Sequence, residues 1–220
     1  MTFRPILDIL PRGQRKLWPA LSAIPDDFVL YGGTALALRL GHRSSVDFDF
    51  FSSEAVDIDA LFRIPFLARA EVLQREPDTL TVSVIPAGTR NPVKVSFFGG
   101  IDIGRVGSPE TTDDGVARVA SVLDLFGTKL KVLLQRVAAR DYLDLAAILR
   151  TGVPLKEGLG AAATLYGGQF PPAEVVKALA YFDEGEAADV DDATRRFLSQ
   201  QAAAWDFTVA RIGKAADSLS

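Results

Sequence analysis

Two aspartates one residue apart, Asp47 and Asp49, are the pair in this sequence best suited to share a divalent cation. They lie in Val46-Asp47-Phe48-Asp49-Phe50-Phe51, which reads as a strand. A strand sends alternate side chains to opposite faces, so both carboxylates share one face while Phe48 and Phe50 share the other. Carboxylates this close repel each other unless a cation lies between them. Magnesium takes oxygen ligands, commonly one or two carboxylates plus phosphate oxygens of a substrate. The spacing therefore suits a metal that also grips a triphosphate. An isolated Asp-x-Asp is equally what an ordinary half-exposed strand shows, so the pair needs support from its surroundings.

The support lies just upstream. Tyr31-Gly32-Gly33-Thr34 ends one strand and opens a helix. Glycine permits a tight turn and close approach of a phosphate to the backbone. A helix N-terminus offers unpaired N–H groups and a dipole that favours an anion. The Thr34 hydroxyl can add a hydrogen bond or cap the helix. A plain turn with a threonine cap is the common alternative. What discriminates is that a strand–Gly-Gly–helix unit feeds directly into a strand with two aspartates on one face. Arg43, in the connection between them, can neutralise phosphate or pair with an aspartate. Ser45 is placed to orient the strand entry, and His42 reads as a turn residue.

Composition narrows the chemistry. There is no cysteine and one histidine, which excludes disulfides, thiolate chemistry and a multi-histidine zinc site within one chain. The net charge of −4 argues against a broad electrostatic footprint on nucleic acid. No apolar run approaches the roughly 20 residues of a membrane span, so a cytoplasmic protein with no membrane partner is expected.

The elements that must position these residues fall into two halves. A helix is expected over residues 7–24, interrupted at Pro19 and closed by Pro25. A short strand follows at Phe28–Tyr31, then a helix over Thr34–Leu40 stopped by Gly41. The aspartate strand is next, then a helical turn over Asp57–Phe62. Strands at Ala70–Arg75, Thr79–Ile85 and Val93–Phe98, separated by turn residues, give a sheet with antiparallel neighbours. From about Val119 the period becomes helical, with helices at Ala120–Ala138, Ala139–Thr151, Leu155–Leu165, Pro172–Tyr181 and Ala193–Ala210. The acidic stretch Asp183–Asp192 reads as a solvated loop. The fold class is α+β, mixed α/β. The expected domains are a core of mixed sheet with helices at 1–117 and a helical domain at 118–220 that packs on it and completes the site.

In the helical half, a wheel at about 100° per residue gathers Val122, Phe126, Leu130, Leu133 and Val137 in one arc. Lys129 and Arg136 fall at its edge and Lys131 points the opposite way. Two readings stand side by side: long side chains snorkelling from a buried edge, or a pair of cations facing a triphosphate. In Arg140-Asp141-Tyr142-Leu143-Asp144, Asp141 shares the arc of Leu145, Ile148 and Leu149. Acids in a first helical turn also simply complement the helix dipole.

The run Gly-Gly-Thr-Ala-Leu-Ala-Leu-Arg-Leu-Gly-His-Arg-Ser-Ser-Val-Asp-Phe-Asp-Phe-Phe at 32–51 resembles the AbiEii/AbiGii toxin family of nucleotidyltransferases, within the polymerase β-like superfamily. The likeness extends more weakly through the lysine helix and the Arg-Asp-x-x-Asp segment. It implies transfer of a nucleotidyl group from an NTP with Mg2+ held by Asp47 and Asp49. Gly32, Gly33, Thr34 and Arg43 would bind the nucleotide's phosphates, Lys129 would neutralise the leaving pyrophosphate, and Asp141 would orient or deprotonate the acceptor. It further implies a two-metal mechanism, an RNA acceptor such as tRNA, and an antitoxin protein as partner.

One departure accompanies the likeness. Enzymes of this superfamily usually carry a third carboxylate on a later strand, and the corresponding segment reads Val93-Lys94-Val95-Ser96-Phe97-Phe98. Ser96 stands where an acid is expected. Asp141, Asp102, a different strand alignment or weakened activity are the open explanations. The rival functions are a catalytically weakened nucleotide-binding module, a nucleotidyltransferase acting on a small molecule or protein, and an unrelated magnesium hydrolase.

Overall fold

A computed structural model describes residues 1–220 and divides them into two compact units, Met1–Ser121 with Ala216–Ser220, and Val122–Ala215. No helix is long and apolar enough to cross a membrane.

The first unit is built on an eight-stranded mixed sheet. Its strands are β1 (Thr2–Phe3), β2 (Val29–Tyr31), β3 (Asp47–Phe51), β4 (Glu71–Glu76), β5 (Thr79–Val84), β6 (Val93–Phe98), β7 (Glu110–Thr112) and β8 (Arg118–Val119). The order across the sheet is β1-β7-β8-β2-β3-β6-β5-β4. As expected, β4, β5 and β6 are antiparallel neighbours. β3 runs antiparallel to β2 and parallel to β6. Aromatic rings fill one face of the centre: Phe48 and Phe50 are buried, and Phe50 stacks on Phe97 at 5.6 Å between ring centroids.

The helix expected over 7–24 is three pieces, a 3-10 turn at Leu7–Ile9, α1 (Arg12–Leu17) and a 3-10 stretch at Trp18–Ala23. Pro11 lacks the N–H needed to continue a helix and becomes the N-cap of α1, and Pro19 begins the tighter stretch. α2 (Gly32–Leu40) starts two residues earlier than expected and ends at Gly41, whose φ of +61° closes it with an N–H bond to the Ala37 carbonyl. α3 (Ile58–Leu61) is capped by the Asp57 carboxylate, which accepts from the Ala60 N–H at 2.9 Å.

Three short strands had no counterpart in the sequence reading: β1, β7 and β8. Arg39 from α2 gathers them. Its guanidinium donates to the Val119 and Ala120 carbonyls, pairs with Glu110 at 2.6 Å and lies over the Phe3 ring. The chain's last residues join the same unit, with Ala216 bridging Arg105 and the Leu219 N–H donating to Ser53.

The second unit holds α4 (Val122–Val132), α5 (Ala139–Arg150), α6 (Leu155–Tyr166), α7 (Pro172–Leu179) and α8 (Asp192–Ala203). α4 and α6 pack closely because glycine removes side chains from their crossing. A Cβ on Gly127 would lie 3.0 Å from the Ala162 nitrogen, and one on Gly158 would strike the Phe126 ring at 2.6 Å. α4 ends at Val132, six residues short of the expected limit, where turns lead into the extended Ala138 that caps α5. The acidic stretch 183–192 is mostly exposed, as expected, but is not loop throughout. It contains a 3-10 turn at Gly185–Asp189 with Ala187 buried, and Asp191 caps α8 through the Thr194 N–H.

Candidate active site

Local sequence determines the placement of the acid pair on β3. The alternation buries Phe48 and Phe50 on the core face and leaves Asp47 and Asp49 half-buried on the other. β2 and β6 flank this strand. Asp49 lies between Tyr31 and Ser96, and Asp47 lies beside Lys94. The Lys94 Nζ is 3.1 Å from the Asp47 Oδ2, with side-chain exposures of 43% and 27%. The pair therefore sits at the start of β3, facing a lysine supplied by the register of the neighbouring strand.

The glycine turn meets the acids directly. Gly32 has a φ of +74°, which favours glycine, and a Cβ there would lie 2.8 Å from the Asp49 Oδ2. Any larger residue would have to displace that carboxylate. A Cβ on Gly33 would meet the Arg43 Nη2 at 2.6 Å and the Ser45 Oγ at 3.1 Å. The guanidinium and a hydroxyl thus lie over the second glycine, and a carboxylate lies over the first. Thr34 is buried, and its hydroxyl donates to the Asp47 carbonyl, tying the first turn of α2 to the backbone of β3. With that hydroxyl engaged, what Thr34 offers an anion is its backbone N–H. Arg43 also donates to the Ser44 carbonyl at 2.9 Å.

Gly32, Gly33, Thr34, Arg43, Asp47 and Asp49 are therefore gathered at one place in the first unit. The donors fit a magnesium nucleotide. Two hard carboxylate oxygens can take the cation, and the N-terminal amides of a nine-residue helix with an arginine beside them can take the phosphates. The chain has no group of three or more acids, histidines or cysteines that could enclose a metal by themselves, so phosphate and water must complete any coordination here. A separate cleft of the same unit, about 560 Å³ and lined in part by Lys16, Phe66, Arg69 and Ile85, contains none of these residues.

In the second unit, Lys129 points inward from α4 and is buried. Its Nζ lies 2.8 Å from the Asp141 Oδ1 and 2.6 Å from the Asp144 Oδ2, both carboxylates being fully buried. Arg136 donates through Nε to the Asp141 Oδ2 at 2.8 Å and through Nη2 to Oδ1 at 3.2 Å. Burial pushes the Asp141 carboxyl up, but the Arg136 hydrogen bond and the Lys129 charge outweigh it and hold it below the usual carboxylate range. Lys129 and Asp141 thus hold each other, with Asp144 and Arg136 completing a network of two cations and two anions. Helix spacing supplied the clue to Asp144, three residues after Asp141 on the same face. Asp102 is exposed and follows the end of β6 opposite to Lys94, so the strand carries it away from the acid pair.

A glycine turn that opens a helix beside two sheet-borne aspartates is the layout expected of a nucleotidyltransferase, and the comparisons with known proteins agree on that class. The family model for the nucleotidyl transferase AbiEii toxin, of type IV toxin–antitoxin systems, matches residues 17–215. The chain belongs to this AbiEii family and is a nucleotidyltransferase of the toxin type. An uncharacterized protein of Aquifex aeolicus, aq_aa25, is 31% identical over 173 residues, 77% of this chain and 80% of its own length. Among solved structures, one from H. pylori described as a nucleotidyltransferase superposes with a TM-score of 0.55 at 18% identity, covering 86% of this chain and 90% of that one. MenT4, a nucleotidyltransferase toxin of Mycobacterium tuberculosis, superposes with a TM-score of 0.53 at 14% identity over 86% and 89% of the two chains. At those identities the two structures speak for the fold.

Proposed function

We propose that this chain transfers a nucleotidyl group from a magnesium-bound NTP to an RNA acceptor, tRNA being the first to test, and that an antitoxin protein restrains it in the cell. The observation that carries the reading is the contact between acid and anion cradle: the Asp49 carboxylate stands over Gly32 at the mouth of α2, with Asp47 two residues behind it.

Asp47 and Asp49 would hold the magnesium. When bound, that ion polarises the phosphate and draws off developing charge, an effect worth several kcal/mol in such reactions. The backbone amides of Gly33 and Thr34 and the Arg43 guanidinium would hold the β- and γ-phosphates. Arg43 then faces the charge that grows on the leaving group. The acceptor hydroxyl oxygen bonds to the α-phosphorus as the bond from that phosphorus to the β-phosphate oxygen breaks. Pyrophosphate leaves with the electron pair, and the hydroxyl proton passes to water. Lys129 and Asp141 enter the proposal as a joined pair. Substituting either is expected to disturb the fold of the second unit as well as transfer.

The antitoxin rests on the family's description as a type IV toxin–antitoxin system, and the RNA acceptor rests only on the resemblance given by residues 32–51. The test is incorporation of label from each α-³²P NTP into total cellular RNA. Wild type is expected to label RNA and the Asp47→Asn variant not to. Label reaching only small molecules or protein would replace the acceptor. One observation favours a weakened nucleotide-binding module: β6 sets Lys94 and Ser96, not an acid, beside the pair. Nucleotide binding without any transfer would select that reading.

A further inference from the structure

The neighbours of the acid pair are fixed by backbone pairing, and none of them is acidic. Across from Asp47 on β6 stands Lys94, across from Asp49 stands Ser96, and on β2 the partner of Asp49 is Tyr31. A two-ion centre holds its cations about 3.5–4 Å apart, so the second needs anionic ligands of its own beside the shared carboxylate. The two other candidates in the chain do not supply one. Asp102 leaves the opposite end of β6, and both oxygens of Asp141 are engaged by Lys129 and Arg136. What the fold places at the Asp47 Oδ2 instead is an ammonium at 3.1 Å.

We infer that this site takes one divalent cation, and that the Lys94 ammonium supplies the second positive charge on the Asp47 side. The inference rests on the nucleotidyl-transfer reading and deepens it. Lys94 is carried by a central strand, and its place beside Asp47 comes from the β3–β6 register. An ammonium there lowers the affinity of the pair for a metal ion while fixing the Asp47 carboxylate. It also adds a cation for an incoming polyphosphate without demanding the octahedral geometry of a second magnesium.

The test counts ions on the full chain with Mn2+ as probe, read from the paramagnetic resonance signal of the free ion. With protein in excess over a non-hydrolysable NTP analogue, wild type is expected to bind one Mn2+ per analogue, and Lys94→Asp two. Without nucleotide, Lys94→Met is expected to bind Mn2+ about ten-fold more tightly, because a competing like charge is gone. Lys94→Arg should stay near wild type, which separates a charge effect from a disturbed fold. Two ions per analogue on wild type would overturn the inference and leave the nucleotidyl-transfer reading intact. Unchanged or weaker Mn2+ binding by Lys94→Met would do the same. No Mn2+ on wild type, with or without the analogue, would overturn the metal-site reading itself and this inference with it.

Discussion

Asp47 and Asp49 lie one residue apart on a strand; Asp141 and Asp144 lie three apart on a helix. Both spacings put two carboxylates on one face of their element. The first pair stays half-buried beside Lys94, at the mouth of a helix whose terminal amides favour an anion. The second is sealed from solvent and clamped by Lys129 and Arg136. Surroundings, not residue type, separate them. The strand pair keeps an approach from solvent by which a cation can reach it, whereas the helix pair has its cations built in. A carboxylate pair so enclosed bears on the stability of its unit, and that share is measured by what breaks when one partner goes.

Substitutions should pull the two pairs apart. The largest effect is expected at the strand pair, on activity alone. Asp47→Asn or Asp49→Asn should lower labelled-NTP incorporation by about 10³-fold or more, given several kcal/mol of charge stabilisation by a bound metal. Their urea midpoints should stay near that of wild type. At the helix pair the order reverses. Lys129→Met leaves two buried carboxylates with one cation between them and should cost about 3–5 kcal/mol in urea unfolding followed by circular dichroism. A Lys129→Met variant as stable as wild type would break the comparison.

A smaller cost is expected at Gly32→Ala, about 1–3 kcal/mol for a positive φ with a Cβ pressed on Asp49. Because that carboxylate must shift, NTP affinity should fall as well, as isothermal titration would show. The pH dependence has a sign. The folded Asp141 carboxyl lies below its unfolded value, so its contribution to stability is fully present above about pH 4. It is lost as pH falls through the lower folded value. Unfolding midpoints of wild type should drop in that acid window, and those of Asp141→Asn should change less there. The smallest effect belongs to Arg75→Ala. Its 3.5 Å pair with Asp59 is solvent-exposed on both sides, so no measurable change is expected.

These contrasts show what could be read from the sequence. The acid pair and the glycine turn were legible because their geometry is local: a period of two over five residues, and a turn that opens the next helix. The inward aim of Lys129 was legible from the helical period. Its partners were not, because Asp141 and Asp144 come from the next helix and the turns between the two set how they meet. The period of two puts Lys94 on the strand face of Ser96, yet its pairing with Asp47 depends on a parallel register between strands more than forty residues apart. β1, β7 and β8 are too short to show a period and are held by Arg39, whose partners lie about seventy to eighty residues away. The early helix broke where Pro11 and Pro19 remove donors, and only the second of these was read as an interruption.

The most direct measurement is a crystal structure of the chain soaked with magnesium and a non-hydrolysable NTP analogue. A cation is expected about 2.1 Å from oxygens of both Asp47 and Asp49, with the triphosphate lying over Gly33 and beside Arg43. Nucleotide bound elsewhere, or a cation that touches neither aspartate, would contradict that expectation.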